Sequence, residues 1–167
     1  MRIASPMRAI ALAGSVALLA AGTASGTSSA VRATVTVKST PLGRVLVNQN
    51  GRTLYLFEKD HSGKSMCTGS CVSFWPPLLS GAKARAGSTA VKASLLGRIR
   101  RSDGRMQVTY RGHPLYTFSL DKRAGQTNGE GLDDFGAHWY AVSPAGTKVV
   151  KQTTSGGGSG YPGGYGP

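Results

Sequence analysis

The sequence predicts an all-β fold: a small single domain of two hairpin-containing repeats related by a pseudo-two-fold. Three observations carry this. A stretch recurs, Arg44 to Asp60 (RVLVNQNGRTLYLFEKD) and Arg105 to Asp121 (RMQVTYRGHPLYTFSLD), at a constant offset of 61 residues with seven identities in seventeen. Each copy holds a hairpin signal, Asn50-Gly51 or Arg111-Gly112, between two apolar runs. No segment beyond residue 30 sustains the 3.6-residue period of an amphipathic helix.

In chain order, Arg2 and Arg8 precede an uncharged apolar run from Ala9 to Ala21 followed by small residues, the grammar of an export signal. Residues 1–30 are therefore read as a signal peptide cleaved after Ala24 or after Ala30. The run is shorter than the roughly 20 apolar residues a bilayer span needs. No cysteine directly follows it, so a lipid anchor is not expected. Val31, Ala33, Val35 and Val37 then alternate with polar residues, which predicts a half-buried strand.

The two-repeat domain is placed at residues 31–152, with repeat one over about 42–80 and repeat two over about 98–146. In repeat one, strands are expected at about Val45 to Gln49 and Thr53 to Glu58, joined by a type I′ turn at Asn50-Gly51. In repeat two, Met106 to Tyr110 and Pro114 to Leu120 flank Arg111-Gly112. Arginine suits left-handed backbone less well than asparagine, so this second turn is expected to be the looser or differently typed one. Pro114 lacks an N–H and belongs near the start of an edge strand. Ser80 to Ser94 reads as a surface connection, and Leu95 to Arg101 as a short strand. The run Arg98 to Arg105 reads as a solvated strand edge and turn. Thr153 to Pro167 is almost wholly Gly, Ser, Tyr and Pro and is predicted to be a disordered tail.

On a strand Tyr55 and Phe57 share one face and Leu54 and Leu56 the other; Tyr116 and Phe118 repeat this with Leu115 and Thr117 opposite. Two aromatic pairs of this kind suffice for one shared core, whereas a lone hairpin is marginal in water. Asp60 and Asp121 fall at strand exits before turn-rich segments, which suits carboxylates that accept backbone N–H bonds beside a tyrosine hydroxyl, with a ligand or catalytic role for the motif residues as the alternative.

The loops that follow differ in chemistry. The first holds His61 and both cysteines, Cys67 and Cys71, four apart in a chain addressed to an oxidising compartment. Three readings stand: a structural disulfide, which in the chain-entropy model stabilises by about 2 kcal/mol; a redox-active pair, although the spacing is not C-x-x-C; or copper or zinc held with His61. The second loop gathers Glu130, Asp133 and Asp134, read as acids that offset the surrounding basic charge, or else as oxygen ligands for Ca²⁺, although the spacing of a calcium loop is absent. His113 and His138 are isolated and read as packing or surface residues. Ser80-Gly-Ala-Lys83 matches S-x-x-K but lies in coil, and no G-x-S-x-G, H-E-x-x-H or phosphate-cradling loop is present.

Tyr55-Leu-Phe57-Glu-Lys-Asp60 and Tyr116-Thr-Phe118-Ser-Leu-Asp121 complete the pattern Yx(FWY)xxD. With Cys67-Thr-Gly-Ser-Cys71, Trp75-Pro-Pro77 and Gly129-Glu-Gly131 before Trp139, the chain from about Leu42 to Gly146 resembles the secreted repeat proteins and lipoproteins that carry this motif. The resemblance implies a bacterial exported protein of undetermined biochemical role and transfers no catalytic residue.

The whole chain carries 20 Lys+Arg against 7 Asp+Glu. Residues 1–30 contain two arginines and no acid, so the mature protein keeps about +11. Such a charge favours anionic envelope polymers or lipid headgroups, and disfavours nucleic acid because no binding motif accompanies the scattered cations. The expectation is a secreted or envelope-held, non-catalytic module that needs no cofactor and has no transmembrane helix once processed. The alternative is a metal-binding or redox-linked secreted protein built on the Cys67/Cys71 loop.

Overall fold

A computed structural model describes residues 31–61 and 63–150. The signal peptide and the Gly/Tyr/Pro tail expected from the sequence lie outside the described residues. Among the described residues nine strands dominate, with one four-residue α-helix, α1 (Cys71–Phe74), and a single 3-10 turn at Ala93–Leu95. Strands β1 (Thr34–Thr40), β2 (Gly43–Asn48) and β4 (Arg85–Ala86) form one sheet in the order β2-β1-β4. The motif strand β3 (Tyr55–Phe57) joins β9 (Ala137–Ala141) and β8 (Asp133–Asp134) in the order β3-β9-β8. Strands β5 (Leu96–Arg100), β6 (Met106–Tyr110) and β7 (His113–Pro114) form the third, with β7 and its Pro114 on the expected edge.

The repeats exchange strands. Val142, beyond the second tryptophan, accepts from Leu46 N–H at 2.7 Å and donates to Leu54 at 3.0 Å, thereby entering the hairpin of repeat one. Leu78, beyond the first tryptophan, does the same to repeat two, with Val108 and Leu115 each bonded at 2.8 Å. At the centre Tyr55 and Tyr116 exchange both backbone bonds, at 2.8 and 3.0 Å. These are equivalent residues of the two motifs, so the pseudo-two-fold passes between them.

The period-two reading of the motif strands holds. Leu54, Leu56 and Leu115 enter an aliphatic cluster with Val35, Leu46 and Val108. Tyr55, Phe57, Tyr116 and Phe118 enter an aromatic cluster with both tryptophans and both cysteines. The side chains of all four motif aromatics are buried.

Three expectations need correction. Asn50-Gly51 does not form the two-residue left-handed turn; only Gly51 has positive φ there, at 74°. Asn48 is the reason: its side-chain oxygen accepts from Asn50 N–H at 2.9 Å and Arg52 N–H at 3.0 Å, closing a three-residue loop. It is Arg111-Gly112 that adopts positive φ at both positions, 49° and 83°. The cost at Arg111 is offset by its guanidinium bonding Ala145 O at 3.1 Å and its stem packing over Gly146. Second, the connection Ser80 to Ser94 is not merely superficial: it supplies β4 and the buried Ser80, Ala84 and Val91. Third, Arg101, in the run read as a solvated edge, is only 4% exposed.

Candidate functional site

The two motifs bond crosswise. Tyr55 donates its hydroxyl to Asp121 Oδ2 of the other copy at 2.7 Å, and Tyr116 donates to Asp60 Oδ2 at 2.8 Å. Each aspartate uses its second oxygen on its own following loop: Asp60 Oδ1 accepts Met66 N–H at 2.7 Å, and Asp121 Oδ1 accepts Asn128 N–H at 2.9 Å. Each tyrosine oxygen meets one more donor from that loop, Gly129 N–H at 3.3 Å for Tyr55 and Ser65 Oγ at 2.7 Å for Tyr116. Each aspartate thus fastens the bend that follows it beside a tyrosine, and that tyrosine comes from the opposite repeat.

Between these pairs lies a continuous aromatic stack. Trp75 and Trp139 lie parallel with centroids 3.9 Å apart; Phe57 stacks on Trp139 at 4.0 Å and Phe118 on Trp75 at 4.3 Å. Each phenylalanine thus caps the tryptophan of the other repeat. Tyr55 and Tyr116 meet Trp75 and Trp139 edge-on, at 5.4 and 5.1 Å, the arrangement the ring quadrupoles favour. Burial raises the pKa of both tyrosines, and the neighbouring carboxylates raise it further, so their protons stay on as donors.

The pseudo-symmetry breaks at the loops. Loop two lies on the hairpin of repeat one: Gly125 donates to Gly51 O at 2.9 Å, and a Cβ on Gly51 would sit 2.8 Å from Ala124. Its counterpart Gly112 has open space, and a cavity of about 250 Å³ remains there, lined by Asp60, His61, Arg111 and His113 among others. Asp121 is consequently sealed while Asp60 is half-buried beside that cavity. Burial, outweighing the bonds from Met66 N–H and Tyr116, pushes the Asp60 carboxyl up to about 6.

The Asp60 pair is also the end of a relay that the sequence did not reveal. Arg101 Nη1 donates to Ser65 Oγ at 2.6 Å, Ser65 meets Tyr116 Oη, and Tyr116 donates to Asp60. A guanidinium only donates and a carboxylate only accepts, so Ser65 Oγ accepts at one end of the relay and Tyr116 donates at the other. Arg101 further bonds Gln107 Oε1 at 2.6 Å and Cys67 O at 2.7 Å. Arg101 has no counterpart in the repeat alignment, so nothing marked it. Gln107 did leave a signal, a polar residue where repeat one has Leu46.

Cys67 and Cys71 form a disulfide, with both residues buried against the aromatic cluster. The bond takes both sulfurs out of the thiolate ligand set considered for copper or zinc. His61, the third member of that set, is exposed and bonds Lys59 O through Nδ1 at 3.0 Å. The acidic candidates are not brought together either. Glu130 accepts Ala141 N–H at 2.7 Å, Asp134 accepts Trp75 Nε1–H at 3.1 Å, and Asp133 is exposed. Among the described residues no group of three or more His, Cys, Asp or Glu is placed to hold a metal ion. His113 is half-buried, with its pKa lowered by burial and by Arg111, and His138 is exposed beside Tyr140. Among the described residues no helix is long and apolar enough to cross a membrane.

A family model described as a secreted repeat of unknown function matches the chain twice, over residues 36–79 and 97–143. These spans contain the two hairpins, motifs and tryptophan segments that interlock above. No curated protein and no solved structure matches the chain. Two matches covering more than half of the chain establish that this protein belongs to the family of secreted repeats of unknown function.

Proposed function

We propose that the protein is an exported, non-catalytic module that binds an anionic polymer of the cell envelope. The observation that carries this is how the charges are distributed. Of the carboxylates, Asp60, Asp121, Glu130 and Asp134 are engaged with tyrosine, tryptophan or backbone donors inside the fold. Among the described Lys and Arg residues, only Arg101, Arg105 and Lys148 are in ion pairs. Lys38, Arg44, Arg85, Arg98 and Arg100, spread over two sheets, and Lys122 on loop two are exposed. With four of the seven carboxylates engaged in this way, the excess of cations presents a positive field to solvent.

A polymer suits this distribution better than a lipid surface. The cations lie on several elements and so are not confined to one docking face, and the exposed large apolar side chains, such as Met66, Phe74 and Leu120, are dispersed in sequence. The motif side chains favour binding over catalysis: the tyrosines are held protonated and both oxygens of each motif aspartate are already occupied.

Immobilised poly(glycerol phosphate) is the probe. Retention is expected to fall at least tenfold between about 50 and about 300 mM salt, as contacts that release counterions do. Absent binding, or binding indifferent to salt, contradicts the reading. Preferential retention by phosphatidylglycerol vesicles would reassign the partner to a lipid surface.

A further inference from the structure

Arg101 is a buried cation with too little negative charge beside it. At 4% exposure, its guanidinium meets one carboxylate, Asp103, through Nε at 3.3 Å. Asp103 is committed elsewhere: Arg105 holds the same Oδ2 from Nη2 at 2.7 Å and Nε at 3.1 Å, and its backbone N–H takes Oδ1 at 3.0 Å. The other Arg101 bonds go to the neutral oxygens of Ser65, Gln107 and Cys67. Asp60 is two hydroxyls away along the relay. A guanidinium has five N–H groups, and these contacts use four; one Nη2–H has no acceptor among the described residues. Removing a charge from water without a full partner is costly, so such a group is stabilised by any anion that reaches it.

Arg101 lines a cavity of about 400 Å³ together with Lys64, Ser65, Met66, Arg100 and Ser102. The lining contains three cations and no carboxylate. Lys64 and Arg100 are exposed and belong to no ion pair among the described residues. They come from separate elements, Lys64 from the loop after the first motif and Arg100 from the end of β5. Two exposed cations beside a guanidinium fixed by its own bonds are an arrangement that suits phosphoryl oxygens.

We infer that this cavity, between residues 64–66 and 100–102, is the seat for one phosphoryl group of the anionic polymer. The inference rests on the reading given under Proposed function and narrows it from a general field to one place. Lys64 and Arg100 neutralise the incoming charge, and Arg101 is a positioning residue that holds the two segments together through its bonds to Ser65 Oγ and Cys67 O. Glycerol carbons adjoining the phosphate have Met66, 40% exposed, to lie against.

The test compares two variants with equal loss of charge, Lys64→Gln/Arg100→Gln and, on other elements, Arg44→Gln/Lys92→Gln, binding poly(glycerol phosphate) at one fixed salt concentration. The first pair is expected to weaken binding about tenfold and the second less than about threefold. With inorganic phosphate as the probe, backbone amide shifts are expected to concentrate at Lys64 to Met66 and Arg100 to Ser102 in the wild type, and to vanish in Lys64→Gln/Arg100→Gln. All four substituted side chains are exposed, so the variants are expected to fold. Equal weakening by the two pairs, with amide shifts spread over the surface, overturns the seat and leaves the general reading standing. A wild-type protein that does not bind the polymer overturns both.

Discussion

Asp60 is a residue whose environment changes its chemistry within the ordinary pH range. Its carboxyl rises from an ordinary 3.8 to about 6, because burial outweighs the bonds from Met66 and Tyr116 and the charges of Arg101 and His61. Between those two values the folded protein keeps a proton that the unfolded chain has released. The group's contribution to stability is therefore complete below about pH 4 and lost as pH rises through 6, by up to about 3 kcal/mol. Replacing Asp60 with Asn removes that dependence, so wild type should lose stability relative to the variant between pH 4.5 and 7.5. Denaturant midpoints at the two pH values check this, and parallel changes in both proteins would refute it. The motif tyrosines and aspartates were legible in the sequence as residue types at a fixed spacing. Arg101 was not, because a lone arginine in a basic run looks solvated until the oxygens of Ser65, Gln107 and Cys67 converge on it from separate segments.

At the scale of elements, the hairpins show how one side chain decides a turn. The copies align without a gap, yet Val47 faces Thr53 in the first and Thr109 faces Pro114 in the second, a register difference of one residue. Asn48, through its two bonds to backbone N–H groups, selects the longer loop; Thr109 stands at its place in repeat two and lacks that reach. Asn48→Ala is expected to cost about 1 to 2 kcal/mol by leaving those donors to water, measurable by chemical denaturation. A change below 0.3 kcal/mol would mean that Gly51 alone sets the turn. Strand positions were readable from alternation, because a half-buried strand writes its two faces into the sequence as period two. The turn type was not, since Asn-Gly is equally at home in either loop and the choice lay in the residue two before it. The Cys67-Cys71 disulfide closes a short loop beneath the aromatic cluster, and Cys67→Ser/Cys71→Ser should cost about 2 kcal/mol or somewhat more because both residues are buried.

For the whole molecule the governing fact is exchange: each repeat inserts its tryptophan segment into the other's hairpin, and each phenylalanine stacks on the other's tryptophan. The sequence told that two copies share an interior, because both carry aromatics on one strand face. It could not tell that they interlock, since partners across a two-fold are indistinguishable from partners within a copy when both copies carry the same residues. Interlocking predicts that residues 31–92 alone remain unfolded by circular dichroism and gain structure only when residues 93–150 are added. The most direct measurement is a pair of double-mutant cycles on unfolding free energy, one on Tyr116→Phe with Asp60→Asn and the other on Tyr55→Phe with Asp60→Asn. The exchanged arrangement predicts a coupling of about 1 kcal/mol or more between Tyr116 and Asp60 and about zero between Tyr55 and Asp60. Coupling confined to Tyr55 and Asp60, the pair within one motif, would contradict it.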